Sequence, residues 1–442
     1  MKNKAVTLFA VIMVLTTAAW AGNQAALYIF CSQPVCTDGA YPYAGMVFDS
    51  ANNLYGTTQD GGPDLNGGTV FQLKHSGSGW MHSIIYAFTG GSDGANPVGP
   101  LVIDQAGNLY GIASGGGTGF GTVFEISPAN GSWNFQVIYT FHGGDDGLVG
   151  IDSGGLAFDR FGNLYGTTEM GGTAGFGTVF ELTPANGSWT KTTLYSFAGG
   201  NDAADPLTGV TLDQAGNIYG ATVSGGADGG GAVFELVQNQ GTWTESVIYS
   251  FTGGNDGAYP EFGALVLDDA GNLYGTAAGG GTFNQGVVYE LSPANGSWTE
   301  SVLYTFTGGN DGGQPFAGLT FSQSGNLYGA AAYFGANGDG TIFELVQQQP
   351  GWDEKTIYTF DGNDGKYPYG AVVFDPYGNL FATTFWGGNF NCNSPPQGCG
   401  VAFEIVPANT QQLFPQSSLA NEPAYSSKPV MKSVLPVVPG SH

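Results

Sequence analysis

The sequence predicts an all-β fold, a seven-bladed β-propeller with four antiparallel strands per blade, whose ring is closed by an N-terminal strand that completes the last blade. Three observations predict it. The segment Gly162-Asn163-Leu164-Tyr165-Gly166-Thr167-Thr168 recurs with its Tyr at 55, 110, 165, 219, 274 and 328, and a seventh copy reads Asn379-Leu380-Phe381-Ala382-Thr383-Thr384; a period of about 55 residues marks a repeat architecture. The 442 residues include 77 glycines and 14% aromatics with few Leu- or Lys-rich periodic runs, a composition that disfavours helices. The last repeat ends without a fourth strand, while an unmatched strand-like segment, Ala26-Leu27-Tyr28-Ile29-Phe30, precedes the first repeat.

The third repeat shows the order of elements. Gly155-Leu156-Ala157-Phe158-Asp159 reads as a short first strand. It is followed by a turn at residues 159–163, where Gly162 and Asn163 are expected to supply the positive backbone angles of a tight hairpin. Leu164 to Thr168 is the second strand, and a glycine-rich loop over 171–177 leads to the third, Thr178-Val179-Phe180-Glu181-Leu182. Residues 184–189 turn the chain, Thr193 to Phe197 is the fourth strand, and Gly199-Gly200-Asn201-Asp202 passes to the next repeat. A parallel β-helix is the competing architecture, but its coils are shorter and lack tight hairpins. Closure by the N-terminal strand also leaves few open sheet edges, whereas an open solenoid would need capping repeats.

Alternation along the strands assigns packing roles. Tyr165 and Thr167 point to one face and Leu164, Gly166 and Thr168 to the other. The Tyr is expected to pack on a neighbouring blade, and Gly166 to leave room for a large side chain opposite. The Trp near the start of each fourth strand (80, 133, 189, 243, 298, 352) reads as packing at a blade edge. Glu125, Glu181, Glu235, Glu290, Glu344 and Glu404, with Gln72 in the first repeat, hold one position of the third strand. Such a repeated acid is expected to accept hydrogen bonds from an adjacent strand rather than to form a catalytic ring.

The ends of the chain bear on location. Residues 1–21 carry two lysines, an apolar run and Ala19-Trp20-Ala21, the pattern of a secretory signal peptide, leaving a propeller at 22–407 and a Pro-, Ser- and Gln-rich tail at 408–442. The apolar run is too short for a good membrane span, and no later segment suits one. Without Lys2 and Lys4 the mature chain has 7 basic against 35 acidic residues, a net charge of −28, which excludes nucleic acid as a partner. Cys31, Cys36, Cys392 and Cys399 fit two disulfides of an exported protein. Local pairing (31 with 36, 392 with 399) is expected, and cross-pairing is the alternative.

The recurring units Gly-Asn-Leu-Tyr-Gly-Thr-Thr, Gly-Thr-Val-Phe-Glu-Leu, Leu-Tyr-Ser-Phe and Gly-Gly-Asn-Asp-Gly, in order over residues 27–406, resemble the GloVer tandem repeat of exported "choice-of-anchor" bacterial proteins. The resemblance implies a secreted or surface-displayed repeat protein and no particular activity. The tail has no terminal hydrophobic helix followed by basic residues, so free secretion is expected rather than surface attachment.

In an up-and-down meander the loops after strands two and four share one face of the disc, and loops carry function more often than strands do. That face gathers Asp38, Asp93, Asp145, Asp146, Asp202, Asp256, Asp311 and Asp364, and near the join of the last and first repeats lie Tyr41, Tyr43, Tyr367, Tyr369, Trp386 and Phe390. Rings beside carboxylates suit a neutral polyhydroxylated ligand, since rings cover C–H faces and polar groups engage hydroxyls. The competing readings are that each Asp builds a turn and that the rings cover the central channel. Calcium is a second candidate ligand, and no other cofactor is expected. His142, beside Asp145 and Asp146, is the unusual histidine of this face, but a lone exposed histidine makes no site. The function expected is a secreted binding or scaffolding module for an extracellular glycan or protein. The alternatives are a carbohydrate-active enzyme using acids on the same face and a purely structural surface protein.

Overall fold

A computed structural model describes residues 23–63, 67–77, 79–151, 153–392 and 397–406. The expected signal peptide and tail lie outside the described residues. Seven four-stranded antiparallel sheets follow one another along the chain. In blade 3 the strands are Ala157–Phe158, Leu164–Thr168, Thr178–Ala185 and Ser188–Ser196. The third and fourth strands are longer than the sequence suggested, because the turn between them is only Asn186-Gly187, both in left-handed conformation (φ 50° and 79°). Asn-Gly is the pair that a two-residue hairpin favours, and it lets Pro184 and Trp189 pair across the ladder.

The last blade takes Val373–Phe374, Leu380–Thr384 and Val401–Val406 from the C-terminal repeat and Asn23–Ile29 from the N-terminus. The N-terminal strand runs antiparallel to Val401–Val406, from Asn23 opposite Val406 to Ile29 opposite Val401. Each of seven hydrophobic clusters is shared by two successive blades, and the one containing Phe30, Leu54, Phe71, Phe381 and Ala402 joins blade 7 to blade 1. The closing junction repeats a hydrogen bond of the others: Thr383 Oγ1 donates to the Ala44 carbonyl at 2.8 Å, as Thr167 does to Thr208 and Thr276 to Ala317, both at 2.9 Å.

The Trp residues sit where alternation put them. Trp133, Trp189, Trp298 and Trp352 meet edge-on the second-strand Tyr of the preceding blade, with centroids 5.7–6.4 Å apart, and Trp80 meets Phe381 across the closure. A Cβ placed on Gly166 would lie 2.7 Å from the Phe180 ring, so this glycine makes room for the core ring opposite. Around the channel the approach is tighter still, because a Cβ on Gly154 would stand 1.8 Å from the Gly209 nitrogen. Gly154→Ala is therefore expected to cost about 3 kcal/mol through forced backbone displacement. A denaturant midpoint equal to wild type would refute this close approach.

The turn between strands one and two corrects one expectation. Gly162 is left-handed (φ 88°) and Asn163 is not. Asn163 instead donates its backbone N–H to Asp159 Oδ1 and its amide to Asp159 Oδ2, each at 2.9 Å. Tyr165 completes the unit by donating to Glu181 at 2.9 Å, as Tyr219 does to Glu235 and Tyr274 to Glu290. The repeated Glu is thus an acceptor for the strand beside it. In blade 1 Gln72 keeps the contact with its direction reversed, its amide donating to Tyr55 at 2.7 Å. In blade 6 Ser322 replaces the turn Asp, and Asn326 donates to Glu344 instead.

Candidate functional site

The loop entering each blade and the loop after its second strand lie together on one face. They are bridged at Ala40 with Asp60, Leu148 with Met170, Ala258 with Gly279, Gly313 with Tyr333 and Lys366 with Trp386. The repeated Asp of the entering loops is spent within these turns. Asp93, Asp202, Asp256 and Asp311 each accept from the fourth-strand Tyr hydroxyl and from a backbone N–H four residues earlier. Asp364 accepts from Tyr358 and from the Asp361 N–H. Asp38 is only 4% exposed and takes hydrogen bonds from Tyr28, the Ser32 backbone and hydroxyl, and the Gln33 N–H. Burial pulls the carboxyls of Asp93 and Asp256 up, but hydrogen bonds from the Thr89 and Thr252 hydroxyls, and then from their N–H groups, outweigh it and draw both below the ordinary range. His142 stands where three other blades have Thr89, Thr252 and Thr307, its ring nitrogen 3.4 Å from Asp146, which also pairs with Lys191 at 2.9 Å.

The aromatics are arranged differently. Tyr41, Tyr43, Tyr367, Tyr369 and Trp386 belong to one continuous network with four rings the sequence reading did not single out, Phe262, Phe316, Tyr333 and Phe385. Centroid separations run from 4.5 Å (Tyr333 to Tyr367) to 6.5 Å (Tyr367 to Tyr369). The Tyr333 and Tyr369 hydroxyls are 2.7 Å apart. All nine side chains are only partly buried. Phe390 lies instead beside Gly362, near the end of the fourth strand of blade 6, and is 38% exposed.

The network spans blades 5, 6, 7 and 1 and crosses one mouth of the central channel. Tyr43, Phe262 and Tyr369 border a cavity of about 160 Å³ whose other walls include Gly45, Gly99, Ser153, Gly318 and Gly370, in or just before the first strands. Backbone geometry aims the rings. Tyr41 and Tyr367 precede Pro42 and Pro368 with φ of 60° and 58°, a left-handed conformation that costs a bulky residue of order 1–3 kcal/mol. Beside the network, Lys366 pairs with Asp339 at 2.8 Å and lies 4.6 Å over the Tyr367 ring. Burial opposes its charge, but Asp339 and Tyr367 outweigh that and hold the ammonium above its ordinary pKa.

Both disulfides are local, Cys31 with Cys36 and Cys392 with Cys399, and the four residues form one buried cluster with Ala40, against which Tyr41 packs. They flank the closing pair of strands. Asn389 donates to the Cys31 carbonyl at 2.8 Å, tying the two loops together.

A sequence profile of the Gloeobacter/Verrucomicrobia repeat matches residues 11–153, 135–320 and 216–422. The chain belongs to this family. No curated protein matches the sequence of this Gloeobacter/Verrucomicrobia repeat protein. Among solved structures it is similar to one described as a new family of polysaccharide lyase, an ulvan lyase bound to -[GlcA(1-4)Rha3S]-, at 11% identity and TM-score 0.51 over 87% of this chain and 96% of that one. It is also similar to a putative 6-phosphogluconolactonase from Bacteroides uniformis, at 14% identity and TM-score 0.50 over 80% of this chain and 98% of that one. At such identities these likenesses show the propeller fold alone. Among the described residues no helix of the repeat protein is long and apolar enough to cross a membrane.

Proposed function

We propose that this repeat protein is a secreted binding module that holds an extracellular glycan on the aromatic mouth of its propeller. The observation that carries the reading is the set of nine partly buried rings at one channel mouth. Turn geometry demands the aspartates of this face but not these rings: Phe385 and Trp386 occupy positions that hold Glu169 and Met170 in blade 3 and Ala278 and Gly279 in blade 5. Ring faces half open to water lose little by covering the C–H face of a sugar, and the paired Tyr333 and Tyr369 hydroxyls offer polar contacts beside them. Disulfides at the closure accord with an oxidising compartment.

A glycan-array screen of residues 22–442, with and without calcium, tests this beside a Tyr367→Ala/Trp386→Ala variant. Binding is expected to fall at least about tenfold in the variant, since stacking contacts are worth about 1 kcal/mol or more each. A calcium requirement would add a metal to the site. An array on which the wild-type protein binds no glycan under either condition would overturn the reading in favour of a protein partner or a structural role.

A further inference from the structure

Polar side chains replace the rings at some of the equivalent loop positions of this face. The residue before the repeated proline is Tyr41, Asn96, Asp205, Tyr259, Gln314 and Tyr367 in blades 1, 2, 4, 5, 6 and 7, and all six share φ between 51° and 60°. Their side chains therefore leave the backbone in one common direction, presenting rings in blades 1, 5 and 7, amides in blades 2 and 6 and a carboxylate in blade 4. The positions after the second strand vary likewise, with Tyr333 in blade 6 and Phe385-Trp386 in blade 7 but Gln59-Asp60 in blade 1 and Glu169 in blade 3. The contact of Tyr333 with Tyr367 across the junction of blades 6 and 7 has as its counterpart Asn96 Nδ2 donating to Asp60 Oδ1 at 3.1 Å across the junction of blades 1 and 2. Asp205 accepts from Ser224 in the equivalent loop of blade 4. Lys366, next to the pre-proline Tyr367, is a basic side chain beside these positions, and Asp339 already engages it.

We infer that the glycan held at this mouth is an amine-bearing one, its sugar faces on the rings of blades 5 to 1 and its protonated amino groups over Asp60 and Asp205. This rests on the glycan-binding reading and adds a charge preference to it. An ammonium is drawn both to carboxylates and to ring faces, whereas a uronate or sulfate would meet carboxylates, an engaged lysine and a mature chain of net charge −28. The preference comes from the slots rather than from bulk charge alone, so single neutralising changes should move it.

Isothermal titration of residues 22–442 at pH 5.5 tests the inference with four hexasaccharides: glucosamine, N-acetylglucosamine, cellohexaose and oligogalacturonate. The glucosamine oligomer is expected to bind about tenfold tighter than the N-acetylated one, with no detectable binding of oligogalacturonate. In Asp60→Asn/Asp205→Asn the preference should shrink to about twofold with N-acetylglucosamine affinity unchanged. Asn keeps an acceptor for Asn96 and Ser224 and tolerates the left-handed backbone at 205, so this variant retains its turns. Equal affinity for the cationic, neutral and anionic oligomers, lost in Tyr367→Ala/Trp386→Ala, would overturn the charge preference and leave the glycan reading standing. Failure of all four oligomers, with other glycans bound on the array, would likewise overturn only the preference. Polylysine binding as tightly as the glucosamine oligomer and equally sensitive to the ring variant would reassign the site to a basic peptide and overturn both.

Discussion

Deleting residues 22–30 is expected to abolish cooperative unfolding and to produce an aggregating protein. The segment supplies the outer strand of blade 7, and its loss bares the edge of Val401–Val406, where unpaired N–H and C=O groups would recruit other chains. It also removes Phe30, which is fully buried against Phe71 with centroids 5.1 Å apart, and Tyr28, which stacks on His82 of blade 1 at 3.9 Å. Phe30→Ala alone isolates the packing contribution, and the expected cost is about 3–5 kcal/mol. Size-exclusion chromatography and denaturant melts measure both variants. A monomeric deletion variant with the wild-type midpoint would mean that the ring does not depend on this strand for closure.

That dependence was legible in the sequence because repeats can be counted. A seventh unit lacking a fourth strand and a spare strand before the first unit leave one arrangement in which every strand has a partner. The second-strand glycines and third-strand Glu were legible for a related reason, since a position that recurs in most blades reports the blade's own geometry. The site was less so. Tyr41, Tyr43, Tyr367, Tyr369 and Trp386 stood out as departures near one junction, but Phe262 and Phe316 lie far off in sequence and reach Tyr43 and Tyr369 only because the ring brings first-strand entries to a common axis. Tyr333 and Phe385 follow second strands, where nothing in the sequence reading singled them out. The bend of Asn163 was misjudged because Asn suits either a left-handed backbone or a side-chain acceptor network, and Asp159 four residues earlier selects the second.

One fourth-strand position carries the largest pH effect. Two residues after the Trp, blades 1 to 6 hold His82, Phe135, Lys191, Glu245, Glu300 and Glu354, each facing the fourth-strand Tyr of the preceding blade. The position is partly buried whatever fills it: burial pushes Glu245, Glu300 and Glu354 up to about 7 and His82 down to about 4. Glu245 Oε1, Glu300 Oε1 and His82 Nε2 are buried without a hydrogen-bond partner among the described residues. Asp202, Asp256 and Asp311 add repulsion to the three Glu in turn. Only blade 3 answers its aspartate with a cation, Lys191 donating to Asp146 Oδ1 at 2.9 Å and to the Asp146 carbonyl at 2.7 Å.

The sign follows from which state holds the proton. Each Glu stays protonated in the folded chain up to about pH 7 but ionises near 4.5 when unfolded, so its contribution is full below pH 4.5 and is lost as pH rises towards 7. His82 acts oppositely, its contribution being full above 6.5 and lost as pH falls towards 4. Three acids against one base leave a protein less stable at pH 8 than at pH 5. After discounting for the solvent that reaches these side chains, each Glu accounts for about 1 kcal/mol. Thermal melts of Glu245→Gln/Glu300→Gln/Glu354→Gln should lose this dependence and, if anything, invert it through His82. Glu354→Lys should stabilise the protein at pH 8, because Thr356 and Asp311 stand where Thr193 and Asp146 receive the Lys191 ammonium. A triple variant that keeps the wild-type fall between pH 5 and pH 8 would show that the three acids are not its source.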